Sequence, residues 1–270
     1  MRWFRFIPQL IRVPSRGRGT FPESIIVMVC VFLWVGILIS CGLESYTYLY
    51  PVSPDTIFSD PIVGYYQFNH NKENDLDEFL GYEIFYKLYD PNSSAILSDR
   101  GSLENTYIAT EYPITTTQKF ARLRLKRIGG ETPVILDQSP LLEISSGQRG
   151  IPWVFKFDFS PLLNTPKEAP ILIWYQPDGT TEVTRFTLLR SSRVEEKAEE
   201  TFLPDQFLET DPDVTSMNVQ GIVEAKGKLA VVFAVAAFGR QLDTTPIYSN
   251  IIFLNRSSIT NDVVAIDLGQ

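Results

Sequence analysis

The chain has 270 residues, with 24 lysines and arginines against 32 aspartates and glutamates, a formal net charge of −8. That acidity argues against nucleic acid as a partner and against charge-driven attachment to anionic lipid headgroups. Two cysteines, Cys30 and Cys41, and one histidine, His70, are too few for a cysteine zinc cluster, a CxxC redox site or a two-histidine metal centre, and no cofactor is expected.

The first elements divide into the parts an export signal needs. Arg2, Arg5, Arg12, Arg16 and Arg18 precede an apolar run over residues 25–39. At about 15 residues, that run is shorter than the roughly 20 a helix needs to cross a bilayer. It closes on Leu38-Ile39-Ser40-Cys41, which resembles the lipobox of bacterial lipoproteins: an aliphatic residue three before a cysteine, with small or modest residues between. The resemblance implies that residues 1–40 are a signal peptide. It also implies that Cys41 becomes the first residue of the mature chain, its thiol joined to diacylglycerol and its new amino terminus acylated. At about 0.8 kcal/mol per buried methylene, several acyl chains hold a protein in a membrane where one would not. The residues by themselves also fit an uncleaved anchor helix in which Cys30 and Cys41 are ordinary apolar thiols. Both readings put the rest of the chain outside the cytoplasmic membrane, facing periplasm or cell exterior. Losing residues 1–40 removes five arginines and Glu23, taking the formal charge from −8 to −12. No thiol then remains to form an intramolecular disulfide with Cys41, so core burial alone must stabilise the fold.

Residues 41–59 read as a tether carrying Pro51, Pro54 and an aromatic cluster, Tyr46, Tyr48 and Tyr50, that packs rather than floats. Beyond it, period-two alternation dominates and predicts strands. A helical patch is expected over 93–105. In 120–128, Ala121, Leu123 and Leu125 oppose Arg122, Arg124 and Lys126, the expected solvated face. In 154–159, Phe155, Phe157 and Phe159 oppose Lys156 and Asp158. Residues 171–175, the turn Gln176-Pro177-Asp178-Gly179 and residues 182–189 predict a hairpin. A charged helical connector is expected at 194–200. Residues 229–238 are continuously apolar up to Gly239, as in a central strand covered on both faces; a buried helix is the competing reading.

Gly81-Tyr82-Glu83-Ile84-Phe85-Tyr86-Lys87 resembles the C strand of a fibronectin type III module, and residues 230–238 with 246–254 resemble its F and G strands. A set of spirochaetal lipoproteins of unknown function looks similar, combining a cysteine followed by Gly-Leu-Glu with a GYEIxYK-like strand and a late PIYS. The resemblance implies an antiparallel sandwich. About 130 residues separate the C-like and F-like strands, far more than such a module needs. The expected organisation is therefore a mostly β protein: signal or anchor helix over 1–40, tether over 41–59, fibronectin-III-like sandwich from 60–89 and 218–257, β-rich insertion or second subdomain over 90–217, and C-terminal tail over 258–270.

Residues with catalytic potential are sparse. His70 sits in a polar loop over 69–78, has no Gly-x-Ser-x-Gly elbow to serve, and reads as a surface histidine. Asn71, Glu73, Asp75 and Asp77 have the spacing of a calcium loop without its turn glycine or terminal glutamate. Asp205, Glu209, Asp211 and Asp213 read as a solvated loop. Gly129-Gly130 lacks the lysine of a phosphate-binding loop, and Trp153 and Trp174 fall inside strand patterns, as core residues do. No catalytic or metal residue is assigned. A binding or structural role beside an envelope protein leads. A small-molecule or glycan receptor using a cleft between sandwich and insertion is the second reading, and a carboxylate-dependent hydrolase the third.

Overall fold

Fourteen strands and three short α-helices form the described part of the chain in the computed structural model, which covers residues 47–104, 115, 118–128, 135–136, 140–164, 166–191, 199–242, 244–255 and 263–269. In chain order the strands are β1 (Phe58–Asp60), β2 (Tyr65–Asn69), β3 (Phe79–Tyr89), β4 (Ala121–Arg122), β5 (Arg124–Ile128), β6 (Ile135–Leu136) and β7 (Leu142–Glu143). They continue as β8 (Val154–Asp158), β9 (Ile171–Tyr175), β10 (Glu182–Leu189), β11 (Lys228–Arg240), β12 (Pro246–Tyr248), β13 (Ile252–Phe253) and β14 (Val264–Asp267). All belong to one compact unit, Thr47–Gln270.

The strands make two antiparallel sheets. The first has the order β1-β2-β8-β9-β10-β5-β6; the second runs β12-β11-β3-β4, with β13 and β14 also on β11 and β7 on β3. Alternation explains their packing. Tyr66 and Phe68 of β2, Phe155 and Phe157 of β8, and Leu172 of β9 meet Tyr82, Ile84 and Tyr86 of β3 and Val231, Phe233 and Val235 of β11 in one core. Phe233 stacks on Phe157 with centroids 4.9 Å apart and meets Tyr66 edge-on at 5.7 Å. The Tyr66 hydroxyl donates to Val231 O at 2.9 Å and accepts from Val264 N at 2.8 Å, so a first-sheet side chain bridges two strands of the second.

The unbroken apolar run of β11 has a physical cause: both its faces are covered. Its odd-numbered residues enter the sandwich core, whereas Ala230, Val232, Ala234, Ala236 and Phe238 face a second core with Phe85, Ile96, Leu103, Phe120 and Phe253. The helix Ala95–Leu103 helps to cover that outer face. At the end of β11, Gly239 answers a close approach: a Cβ there would lie 2.2 Å from the Glu78 carbonyl oxygen.

The expected strand for 229–238, the helix within 93–105, the phenylalanine strand and the hairpin of β9 and β10 all match the structure. Other expectations need correction. The tether ends early, because Leu49, Val52 and Ile57 are buried in the main core. Residues 60–89 divide between the sheets, and β5, β8, β9 and β10 complete the sheet that β2 begins, so 90–217 does not stand apart as a subdomain. The expected tail contains β14, paired with β11 from Lys228↔Asp267 to Val231↔Val264. Segment 120–128 crosses between sheets: β4 pairs with β3 and β5 with β10. Its basic face is not simply solvated, since Arg124 is buried and Arg122 forms a bidentate pair with buried Glu83 at 2.8 and 2.6 Å. Most of 194–200, and Gly129-Gly130, lie outside the described residues.

Candidate functional site

His70 is buried, not at the surface, because it continues the inward parity of Tyr66 and Phe68 one step past β2. Its ring stacks on Phe79 at 5.3 Å. Nε2 lies 2.6 Å from Arg149 O, which can only accept, so that nitrogen carries the proton. Nδ1, 2.7 Å from the Tyr82 oxygen, then accepts from the hydroxyl, and the same oxygen accepts from Asn71 N at 3.0 Å. Burial lowers the His70 pKa below its ordinary 6.5, outweighing the Arg149 hydrogen bond and the Asp75 charge, and burial raises that of Tyr82. The network therefore holds a neutral imidazole in one tautomer. It also fixes the N-terminal segment: Asn71 Nδ2 donates to Pro51 O at 2.9 Å, while Asn74 exchanges bonds of 2.8 and 2.7 Å with the Tyr50 backbone. Glu73, Asp75 and Asp77 are exposed around it, and among the described residues no group of three or more His, Cys, Asp or Glu side chains is placed to hold a metal ion.

The second polar cluster corrects the reading of the acidic loop. Asp205 and Glu209 are exposed, but Asp211 and Asp213 are buried against fully buried Arg190. Arg190 Nε and one terminal nitrogen grip both oxygens of Asp213 at 2.9 and 2.6 Å; the same nitrogen reaches Asp211 at 3.0 Å and the other donates to Gln206 O at 3.0 Å. The Tyr86 hydroxyl donates to Asp213 at 2.7 Å and accepts from Ser191 N at 2.8 Å. Phe207 lies under the guanidinium at 3.8 Å. This bidentate, hydrogen-bonded arrangement clasps the 204–213 segment to both sheets.

A partly enclosed cleft of about 210 Å³, lined about equally by polar and apolar surface, lies where the β1–β2 turn, the 3-10 turn Ser160–Leu163 and β14 converge. Phe159, Leu162 and Ile266 line it, and Ile62 and Leu163 rim it with 89% and 72% of their surface exposed. Lys167 and Asp267 supply the charged lining; Asp267 also pairs with Lys228 at 3.9 Å and accepts from Gly269 N at 3.0 Å. Gly64, with φ +84°, makes the tight turn that brings Pro61 and Ile62 to the rim. Its exposed apolar rim beside polar and charged lining suits a group with both an apolar and a polar part. Trp153 and Trp174 are not part of it: both are buried and meet edge-on at 5.6 Å within the core.

Leu38, Ile39, Ser40 and Cys41 lie outside the described residues. Among the described residues, no helix is long and apolar enough to cross a membrane. Comparisons with protein-family models, curated proteins and solved structures give no match to this chain. A cleft between sandwich and insertion is expected from the sequence, but no residue of this one is legible there, because it joins residues 61–64, 159–164, Lys167, Pro204 and 264–267, which are adjacent only in the fold. The buried histidine and arginine were within reach, since each extends the inward alternation of the strand before it.

Proposed function

We propose that the protein is a lipid-anchored component of a bacterial cell envelope with a non-catalytic binding or structural role, and that the cleft rimmed by Ile62 and Leu163 receives its partner. The observation that carries the anchor is Leu38-Ile39-Ser40-Cys41 at the end of an apolar run, followed by a β-rich unit that begins at Thr47. Binding is favoured over catalysis by the two ionisable clusters, whose hydrogen bonds are directed inward and whose residues do not line the cleft, while the cleft offers the exposed side chains of Ile62 and Leu163 at its rim. The fibronectin-III-like reading is supported by the direct pairing of β3 with β11 and of β11 with β12. Membrane attachment is through the covalent lipid, and the leading partner is another envelope protein. A small-molecule or glycan receptor is the second reading, favoured by Lys167 and Asp267 beside the apolar lining. The intact mass of protein extracted from membranes tests the anchor: residues 41–270 plus diacylglycerol and an amide-linked acyl chain is the expected species. A full-length chain with a free Cys41 would refute it.

A further inference from the structure

The two ends of the sandwich differ in their distance along the chain from Cys41. Residues 47–52 pack at one end, here the near end: a Cβ at Gly239 would meet Leu49 Cδ1 at 3.2 Å, and Asn71 and Asn74 hold Pro51 and Tyr50. The cleft lies at the far end, beside the start of β11. β11 has 13 residues, so the ends stand about 40 Å apart at roughly 3.3 Å per residue. Six Cα steps from Cys41 to Thr47 reach about 20 Å even when fully extended.

We propose that the near end rests on the lipid surface itself, through Tyr48, Tyr50 and Leu242; this rests on the reading of Cys41 as the lipidated residue. Tyr48 and Tyr50 are 47% and 38% exposed and meet edge-on at 5.4 Å, held on the surface by buried Leu49 between them. Leu242 is fully exposed in the connection from β11 to β12, a turn closed by Gln241 N to Thr245 O and Thr244 N to Gln241 O, both 2.9 Å. A tyrosine presents an apolar body with a polar tip, which suits the headgroup boundary, and a leucine on a hydrogen-bonded turn can enter it without exposing backbone. The charge of this end selects the lipid. Asp55, Glu73, Asp75 and Asp77 are exposed there and outnumber exposed Lys72 and Arg240, so contact is made by apolar and aromatic groups on zwitterionic lipid, not by attraction to anionic headgroups. The far-end cleft is thereby held off the membrane, open to a partner.

The test uses the processed, acylated protein in phosphatidylcholine vesicles with bromine-labelled chains. Trp3 and Trp34 leave with the signal, and Trp153 and Trp174 are buried. Leu242→Trp therefore adds an exposed indole at the near end, and Ile62→Trp adds one at the cleft. The expected result is loss of the added emission in Leu242→Trp, unchanged by raised salt, with the Ile62→Trp emission retained. Normal acyl mass with Leu242→Trp unquenched, or with Ile62→Trp quenched instead, overturns this proposal alone. Absence of the acyl mass sinks the reading of Cys41 and this proposal with it.

Discussion

His70 and Arg190 hold comparable positions at opposite ends of the first sheet. Each follows a strand by one residue, β2 for His70 and β10 for Arg190, and each keeps the inward parity of the aromatic or aliphatic residues before it. Their solutions to burial differ. The histidine is kept neutral by burial, with two oppositely directed hydrogen bonds fixing its tautomer, whereas the guanidinium cannot lose its charge and is matched by two buried carboxylates. The neutral end is vulnerable to a proton; the charged end is vulnerable to the loss of a partner.

Arg190→Met breaks the charged end most severely. It leaves Asp211 and Asp213 buried without their cation, an expected loss of about 3 to 5 kcal/mol in urea unfolding of the mature chain. Adding Asp213→Leu should recover part of that loss; if it does not, the cost lies in packing over Phe207 rather than in stranded charge. Phe233→Ala should cost a similar 3 to 5 kcal/mol or so, because the core loses a ring that contacts Tyr66 and Phe157. His70→Ala, which for a surface histidine would cost about 0.5 kcal/mol or less, should cost about 1 to 3 kcal/mol, since Tyr82 and Arg149 lose buried partners. A loss as small as the surface value would mean that the near end does not depend on this network.

The smallest effect is a pH slope. The unfolded chain takes up a proton near the ordinary histidine value of 6.5, while the folded protein resists protonation because burial lowers the His70 pKa. The stability conferred by neutral His70 is therefore full above about pH 6.5 and falls as the pH drops below it, the unfolded state binding more protons. His70→Gln should flatten that slope in urea titrations below pH 6.5, leaving only the carboxylate contribution at lower pH.

The comparison also shows what the sequence makes legible. Alternation and turn chemistry identify β8, β9, β10 and β11, because each of these strands has a local pattern set by which face is buried. The same alternation extends to His70 and Arg190, but their polarity suggests solvent, and only the distant partners Tyr82, Arg149, Asp211 and Asp213 make burial tolerable. Sheet membership is not local at all. Leu123 stands between β4 in one sheet and β5 in the other without a break in alternation, so the boundaries drawn for an insertion miss the crossing. The cleft has no local signature either, being formed where three separate turns and strands meet. Cys41 is the reverse case, a proposed site that rests on four contiguous residues without help from the fold.

The central claim is that this sandwich is carried to the envelope and held there through Cys41. Comparing wild type with Cys41→Ser in bacteria supplied with labelled fatty acid tests it most directly. The account predicts label on the wild-type protein, none on Cys41→Ser, and a variant that keeps residues 1–40 and migrates as the heavier precursor. Equal labelling and equal size in the two proteins would contradict it.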